Sequence, residues 1–219
     1  MTSTKNRVSR TGPARRPRRR ALTWVLGAAA LVVVLAGLYA IFSSSSTPKT
    51  GGAGTAYTVG QPGPGQAAPA FTLTAGNGSQ VSLADYKGKS VLLYFQEGLT
   101  CQPCWDQLTS LEQAAPQVKA AGIDAVVSIT SDPAALIGQK TRDMGLSTPV
   151  LSDPGLAVSE QYGANQYGMM GTSRDGHTFI LIGPDGVIRW RADYGGAPNY
   201  TMFVPVPTLL ADLQAGTRK

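Results

Sequence analysis

Hydrophobic positions along this chain fall into three regimes: one unbroken apolar block, a polar stretch almost without them, and then short runs with recognisable periods. The block runs from Ala21 to Phe42 and holds 22 residues with no charge. At ~1.5 Å rise per residue it spans ~33 Å as a helix, enough for a bilayer core of ~30 Å. An export signal has a shorter apolar core and a small-residue cleavage site, and Ile41-Phe42-Ser43 is not one. No cysteine follows for a lipid anchor. The expectation is an uncleaved transmembrane signal-anchor over 21–42, with Trp24 and Tyr39 near the two interfaces.

Residues 43–68 are Ser, Thr, Gly, Pro and Ala for the most part, as in Ser43-Ser44-Ser45-Ser46. Such a stretch buries no core and is expected to be a flexible linker. Periodic patterns begin near Pro69 and continue to Gly216. Thr72 and Leu73 face Val81 and Ser82 across Gly76-Asn77-Gly78, a hairpin signal. Ser90–Gln96 and Ile123–Ile129 are apolar runs suited to buried central strands. Leu108, Leu111, Ala115 and Val118 repeat as one helical face. Pro133–Met144 reads as a helix with Asp132 as its cap. A short strand at 148–151, a short helix at 156–162, strands at 178–182 and 187–191 around Gly183-Pro184-Asp185-Gly186, and a helix from Val206 complete the set. This order predicts an α/β fold of three layers, a mixed central sheet with helices on both faces, preceded by one transmembrane helix.

Charge refines the picture. Lys5, Arg7, Arg10, Arg15, Arg16, Arg18, Arg19 and Arg20 form a tail with no acid. Removing those eight from the 19 cations leaves 11 against 13 acids, so the remainder is −2 while the whole chain is +6. The basic excess is a tail rather than a patch on a fold, which argues against nucleic acid as a partner. By the positive-inside rule, residues 1–20 stay in the cytoplasm and the domain at 69–216 lies outside the cell membrane.

The chain has two cysteines, Cys101 and Cys104, separated by Gln102 and Pro103. They follow a buried strand and open a helical pattern. A helix N-terminus favours thiolate over thiol, and two thiols at this spacing close and reopen a disulfide. A structural staple is disfavoured because so short a ring removes little chain entropy. Structural zinc is disfavoured because two cysteines and one histidine are too few ligands.

Ala68-Pro69-Ala70-Phe71-Thr72-Leu73, Val81 to Lys89 (VSLADYKGK), Val91-Leu92-Leu93-Tyr94-Phe95 and Thr178 to Gly186 (TFILIGPDG) together resemble the redoxin branch of the thioredoxin-like superfamily, the peroxiredoxins (alkyl hydroperoxide reductase / thiol-specific antioxidant). The resemblance covers about 66–194 and implies a thioredoxin-like fold with thiol chemistry. Peroxiredoxins carry P-x-x-x-T-x-x-C after the first buried strand. Aligned here, Cys104 takes the peroxidatic place, Glu97 stands for the proline and Cys101 for the threonine. C-x-P-C instead resembles thioredoxins, whose first cysteine attacks and whose second resolves. The peroxiredoxin arginine before the late strand is absent from its place, although Arg174 is near.

These residues imply a membrane-tethered, extracytoplasmic thiol–disulfide oxidoreductase with Cys101 as nucleophile and Cys104 as resolving thiol. His177, the single histidine, is expected to face Cys101 and to support its thiolate as a cation, and Glu97 either to modulate the thiol or accept a proton, or to be a solvated loop residue. No cofactor and no resident metal are expected. Partners would be protein thiols or disulfides, or small thiol or peroxide substrates, together with a redox partner that recharges the dithiol. Two alternatives accompany this reading. One is a thiol peroxidase using Cys104 or Cys101. The other is a Cu(I) chaperone resembling the Sco type, with Cys101, Cys104 and His177 as ligands. Arg189 and Arg191 are expected on a solvated face around a buried Trp190.

Overall fold

A computed structural model of the chain describes residues 57–218, with isolated helical positions at 29, 32 and 34. The basic tail, nearly all of the apolar block at 21–42 and the first part of the expected linker lie outside the described residues. Among the described residues no helix is long and apolar enough to cross a membrane.

Seven strands form one mixed sheet: β1 (Thr72–Ala75), β2 (Gln80–Ser82), β3 (Val91–Phe95), β4 (Ala125–Thr130), β5 (Val150–Ser152), β6 (Thr178–Ile182) and β7 (Ile188–Asp193). Their order is β2-β1-β5-β4-β3-β6-β7. β3 pairs parallel with β4, and β4 with β5; β6 joins β3 antiparallel with Tyr94 opposite Phe179. The uninterrupted apolar run of β3 is explained by that central place, since all five residues are buried and both faces are covered. The helices are α1 (Gln102–Gln113), α2 (Ala115–Ala120), α3 (Ala134–Met144), α4 (Ala157–Gln161) and α5 (Val206–Thr217).

Side-chain alternation divides the core in two. Leu92, Tyr94, Phe179 and Leu181 pack with Cys104, Trp105, Leu108 and Leu111 of α1, Val118 of α2, Ile137 of α3 and Leu209 of α5. Leu93, Phe95, Ile180 and Ile182 pack with Phe71, Val158 and Tyr162 on the opposite face. Helices therefore cover both faces, unequally: α4 and the segment after it serve the second face. The single amphipathic helix expected over 108–118 is two helices, because the path turns at Ala114 and Pro116 enters the first turn of α2.

Two expectations are corrected. Residues 57–68, assigned to the linker, belong to the domain. Thr58 exchanges backbone hydrogen bonds with Asp193, and Ile188 N donates to Gln66 O. The Tyr57 ring meets Trp190 and Tyr194 edge-on. Arg191 is not solvated but fully buried. Its guanidinium meets both carboxyl oxygens of Asp193 at 2.9–3.1 Å and donates to Tyr162 O at 2.6 Å and Pro62 O at 3.2 Å. Asp193 also accepts from Gly60 N at 2.6 Å and Thr178 Oγ1 at 2.8 Å. Every lone pair of the carboxylate is used, which is what allows the ion pair inside the fold.

Removing one partner would strand the other charge. Arg191→Met should lower the free energy of unfolding in urea by roughly 3–5 kcal/mol. Arg189→Met, which breaks an exposed pair with Asp185, should change it by less than about 1 kcal/mol.

Candidate active site

β3 ends at Phe95, and the chain then makes a single 3₁₀ turn, Gly98–Thr100, before α1 begins. Gly98 sits at φ +83, and a Cβ there would land on the Asp132 carboxylate. Only glycine fits both the left-handed conformation and the close approach. Gly98 O accepts from Cys101 N at 2.9 Å and from Trp105 Nε1 at 3.0 Å. The fully buried Trp105 ring thus fixes the turn to the helix it precedes.

Cys101 is the N-cap residue of α1, and its Sγ accepts from Cys104 N at 3.3 Å. The twelve-residue helix presents the positive end of its dipole to that sulfur. Cys101 and Cys104 are joined as a disulfide, with Cα atoms 5.3 Å apart. Cys101 keeps 6% of its surface exposed and Cys104 none. An incoming group therefore meets Cys101 first.

His177 lies just before β6 on the same sheet face as Tyr94 and Phe179. Its Nδ1 is 2.9 Å from the Tyr94 hydroxyl, which also reaches Cys104 O at 3.3 Å. A single residue thus separates the ring from the backbone of Cys104. Its Nε2 is buried without a protein partner. Burial pushes the imidazole down to about 3, so the ring is neutral at pH 7. The expected cationic support for a Cys101 thiolate does not come from His177, and the helix terminus supplies it instead. Burial, followed by the Glu97 charge, holds Tyr94 well above the usual phenol range, which leaves it a neutral hydroxyl that relays hydrogen bonds.

Glu97 is buried, which rules out a solvated loop residue. Its Oε1 accepts from Met169 N at 2.5 Å, and its carbonyl accepts from Arg174 Nη1 at 3.0 Å. Glu97 thereby joins the cysteine turn to the segment 163–176. Met169 and Met170 are more than half exposed. For the copper alternative, no group of three His, Cys, Asp or Glu side chains able to hold a metal ion occurs among the described residues.

The roles of two residues at the site, Asp132 and Asp175, escaped the sequence reading. Asp132, expected to cap α3, makes no cap bond; Pro133 holds that position. The Asp132 carboxylate turns inward, where Oδ2 accepts from Leu99 N at 2.6 Å and Oδ1 from Arg174 at 3.0 Å. Asp175 is fully buried, and neither carboxyl oxygen has a partner. The nearby Ser159 hydroxyl is committed to Asp153 at 2.6 Å. No local motif marks the inward turn of Asp132, because its partners Leu99 and Arg174 lie 33 and 42 positions away.

Burial pushes Asp175 up to about 8, and the Asp153 and Asp132 carboxylates add to the rise. Its contribution to stability is full below about pH 3.8 and is lost as the pH climbs to about 8. His177 acts in the opposite sense, contributing fully above about pH 6.5 and losing this as the pH falls to about 3. The two oppose each other in mildly acidic solution, and Asp175 acts alone above neutrality of the imidazole. Urea unfolding of the parent should weaken by roughly 2 kcal/mol between about pH 6.5 and 8, and Asp175→Asn should flatten that decline. A parent curve already flat across this window would mean that Asp175 is ionised in the fold.

Comparison with known proteins agrees with this fold. A Mycobacterium tuberculosis relative carrying a peroxiredoxin name is 37% identical over 101 residues, 46% of this chain and 64% of the relative. The match thus spans somewhat less than two thirds of that relative. Peroxiredoxin Bcp of Escherichia coli is 33% identical over 127 residues, 57% of this chain and 81% of the relative. The fold is shared with the crystal structure of peroxidoxin BcpB from Mycobacterium tuberculosis, at a TM-score of 0.58 and 19% identity over 70% of this chain and 97% of the other. The Plasmodium vivax 2-Cys peroxiredoxin superposes with a TM-score of 0.56 at 21% identity, over 69% of this chain and 80% of the other. The family model AhpC/TSA matches residues 64–191, more than half of the chain. By that match the chain belongs to the AhpC/TSA family.

Proposed function

We propose that this protein is a thiol–disulfide oxidoreductase working through the Cys101–Cys104 pair. The observation that carries the reading is the asymmetry of the two sulfurs. Cys101 sits at the helix N-terminus, accepts an N–H and is the more exposed, while Cys104 is buried one turn behind it.

From the reduced state, the Cys101 thiolate attacks a client disulfide. One sulfur–sulfur bond forms, the client bond breaks, and one client thiolate leaves. Cys104 then loses its proton and attacks Cys101 Sγ, expelling the second client thiolate. The client is reduced by two electrons and the protein is left as the disulfide described above. A partner dithiol run in the opposite sense recharges the pair.

Peroxide reduction is the second reading, favoured by membership of the AhpC/TSA family and by the peroxiredoxin names of its relatives. Here a site thiolate takes OH from a hydroperoxide, giving a sulfenic acid and, with one proton, an alcohol or water. The second thiol condenses with the sulfenic acid, releasing water and forming the same disulfide.

Cys104→Ser should accumulate mixed disulfides through Cys101, seen by non-reducing electrophoresis and mass spectrometry, and Cys101→Ser should accumulate few. Equal trapping by both variants, or by neither, would remove these roles. In stopped flow, hydrogen peroxide should oxidise the reduced protein near the rate of an ordinary thiolate, because Glu97 and Cys101 replace the family's proline and threonine. A rate several orders of magnitude higher would favour the second reading and place Cys104 in the peroxidatic role.

We also propose a single-pass tether through residues 21–42 with the redox domain outside the membrane, on the strength of the basic tail and the apolar block. Protease added to intact cells should release the domain by cutting within 43–56. A mature chain that starts after residue 42 and washes freely from membranes would refute the tether.

A further inference from the structure

The turn that delivers Cys101 to α1 is held by two charged side chains from distant parts of the chain. Asp132, at the end of β4, receives Leu99 N at 2.6 Å and the Thr130 hydroxyl at 3.2 Å on Oδ2. Leu99 is two residues before the reactive sulfur. Arg174, from the segment before β6, bridges Asp132 Oδ1 and Glu97 O from one nitrogen, each at 3.0 Å. The Asp132 side chain is 6% exposed and that of Arg174 27%.

A buried carboxylate bonded to the backbone two residues before a thiol has two effects that conflict. As an acceptor it orders the turn, giving Leu99 N a partner. As an anion it disfavours a second negative charge nearby, and the Cys101 thiolate is such a charge. A cation on the far oxygen resolves the conflict. Other carboxyl groups lie around this pair. Glu97 is on the turn itself and takes the Arg174 bond on its carbonyl, and Asp175, next to Arg174 in the chain, is pushed up first by burial and then by Asp153 and Asp132, and down by Arg174. Arg174 is the cation in ion-pair contact with Asp132 among the described residues. His177 is neutral and supplies none.

We propose that Arg174 is a positioning residue for thiol exchange: it neutralises Asp132 and grips the Glu97 carbonyl, so that a carboxylate orders the Cys101 turn without suppressing the Cys101 thiolate. This rests on the reading of Cys101 as the attacking sulfur. It also gives the single Arg174 nitrogen a double duty, since the bond that fixes the start of the turn and the charge that balances its middle come from one atom.

The sign of the effect separates this role from a structural one. In the reduced full-length protein, the rate of Cys101 alkylation by iodoacetamide against pH reports its acidity, with the modified cysteine located by mass spectrometry. Arg174→Gln should raise the Cys101 pKa by about one unit, roughly tenfold less thiolate at a pH below it. Asp132→Asn, which can still accept from Leu99 N, should shift the pKa the opposite way. Arg174→Lys should stay within a few tenths of the parent, and Arg174→Gln combined with Asp132→Asn should return toward it. Simple loosening of the turn would move both single variants in the same direction. That result, or no movement in either, overturns the proposal. If Arg174→Gln fails to fold, the Asp132→Asn shift decides: a pKa unchanged or raised refutes it. Alkylation needs no client, so opposed shifts in a protein that traps no mixed disulfide would sink the exchange reading and leave Arg174's role standing.

Discussion

A buried carboxylate meeting a backbone N–H, Asp132 Oδ2 on Leu99 N, is the constraint around which this site is arranged. Burying a carboxylate is unfavourable unless its lone pairs are filled and its charge is balanced. Leu99, Thr130 and Arg174 do this. The same requirement makes Gly98 the only residue that fits beside it, turns Asp132 away from α3 and ties the segment before β6 to the cysteines. Chemistry at one sulfur is thereby linked to three elements well separated in sequence.

Much of the scaffold was legible because its signals are local. The continuous apolar run of β3, the hairpin signal at Gly76-Asn77-Gly78 and the Gly-Pro-Asp-Gly turn each depend on near neighbours, and each lies where its pattern indicated. The C-x-P-C at a helix start is equally local, and Cys101 does cap that helix. What escaped depends on long-range partners. Asp132 before Pro133 has the pattern of a helix cap, and only a loop 33 residues upstream shows that its carboxylate points inward. Arg189 and Arg191 have the same pattern as each other, yet Asp193 and the carbonyls of Tyr162 and Pro62 draw one inside. Residues 57–68 have a linker's composition, and what orders them is a strand formed 120 positions later or more.

His177 shows the same limit in electrostatic form. A histidine near a redox pair suggests a cation, and whether it is one depends on solvent access. Here three aromatic rings, those of Tyr94, Phe179 and Tyr194, surround the imidazole. Desolvation outweighs any attraction to a thiolate, and the ring is confined to hydrogen bonding through Tyr94.

The strap at 57–68 has a consequence for solubility. An open sheet ends in strands whose outer N–H and C=O groups invite pairing with another chain. On one side of this sheet the strap occupies the outer groups of β7 at both ends, through Thr58 with Asp193 and Gln66 with Ile188. On the other side β2 offers three residues, Gln80–Ser82, flanked at once by a 3₁₀ turn. One border is thus held by the strap at both its ends and the other offers only three residues, so crowded copies of this domain have short stretches of backbone through which to stitch themselves together.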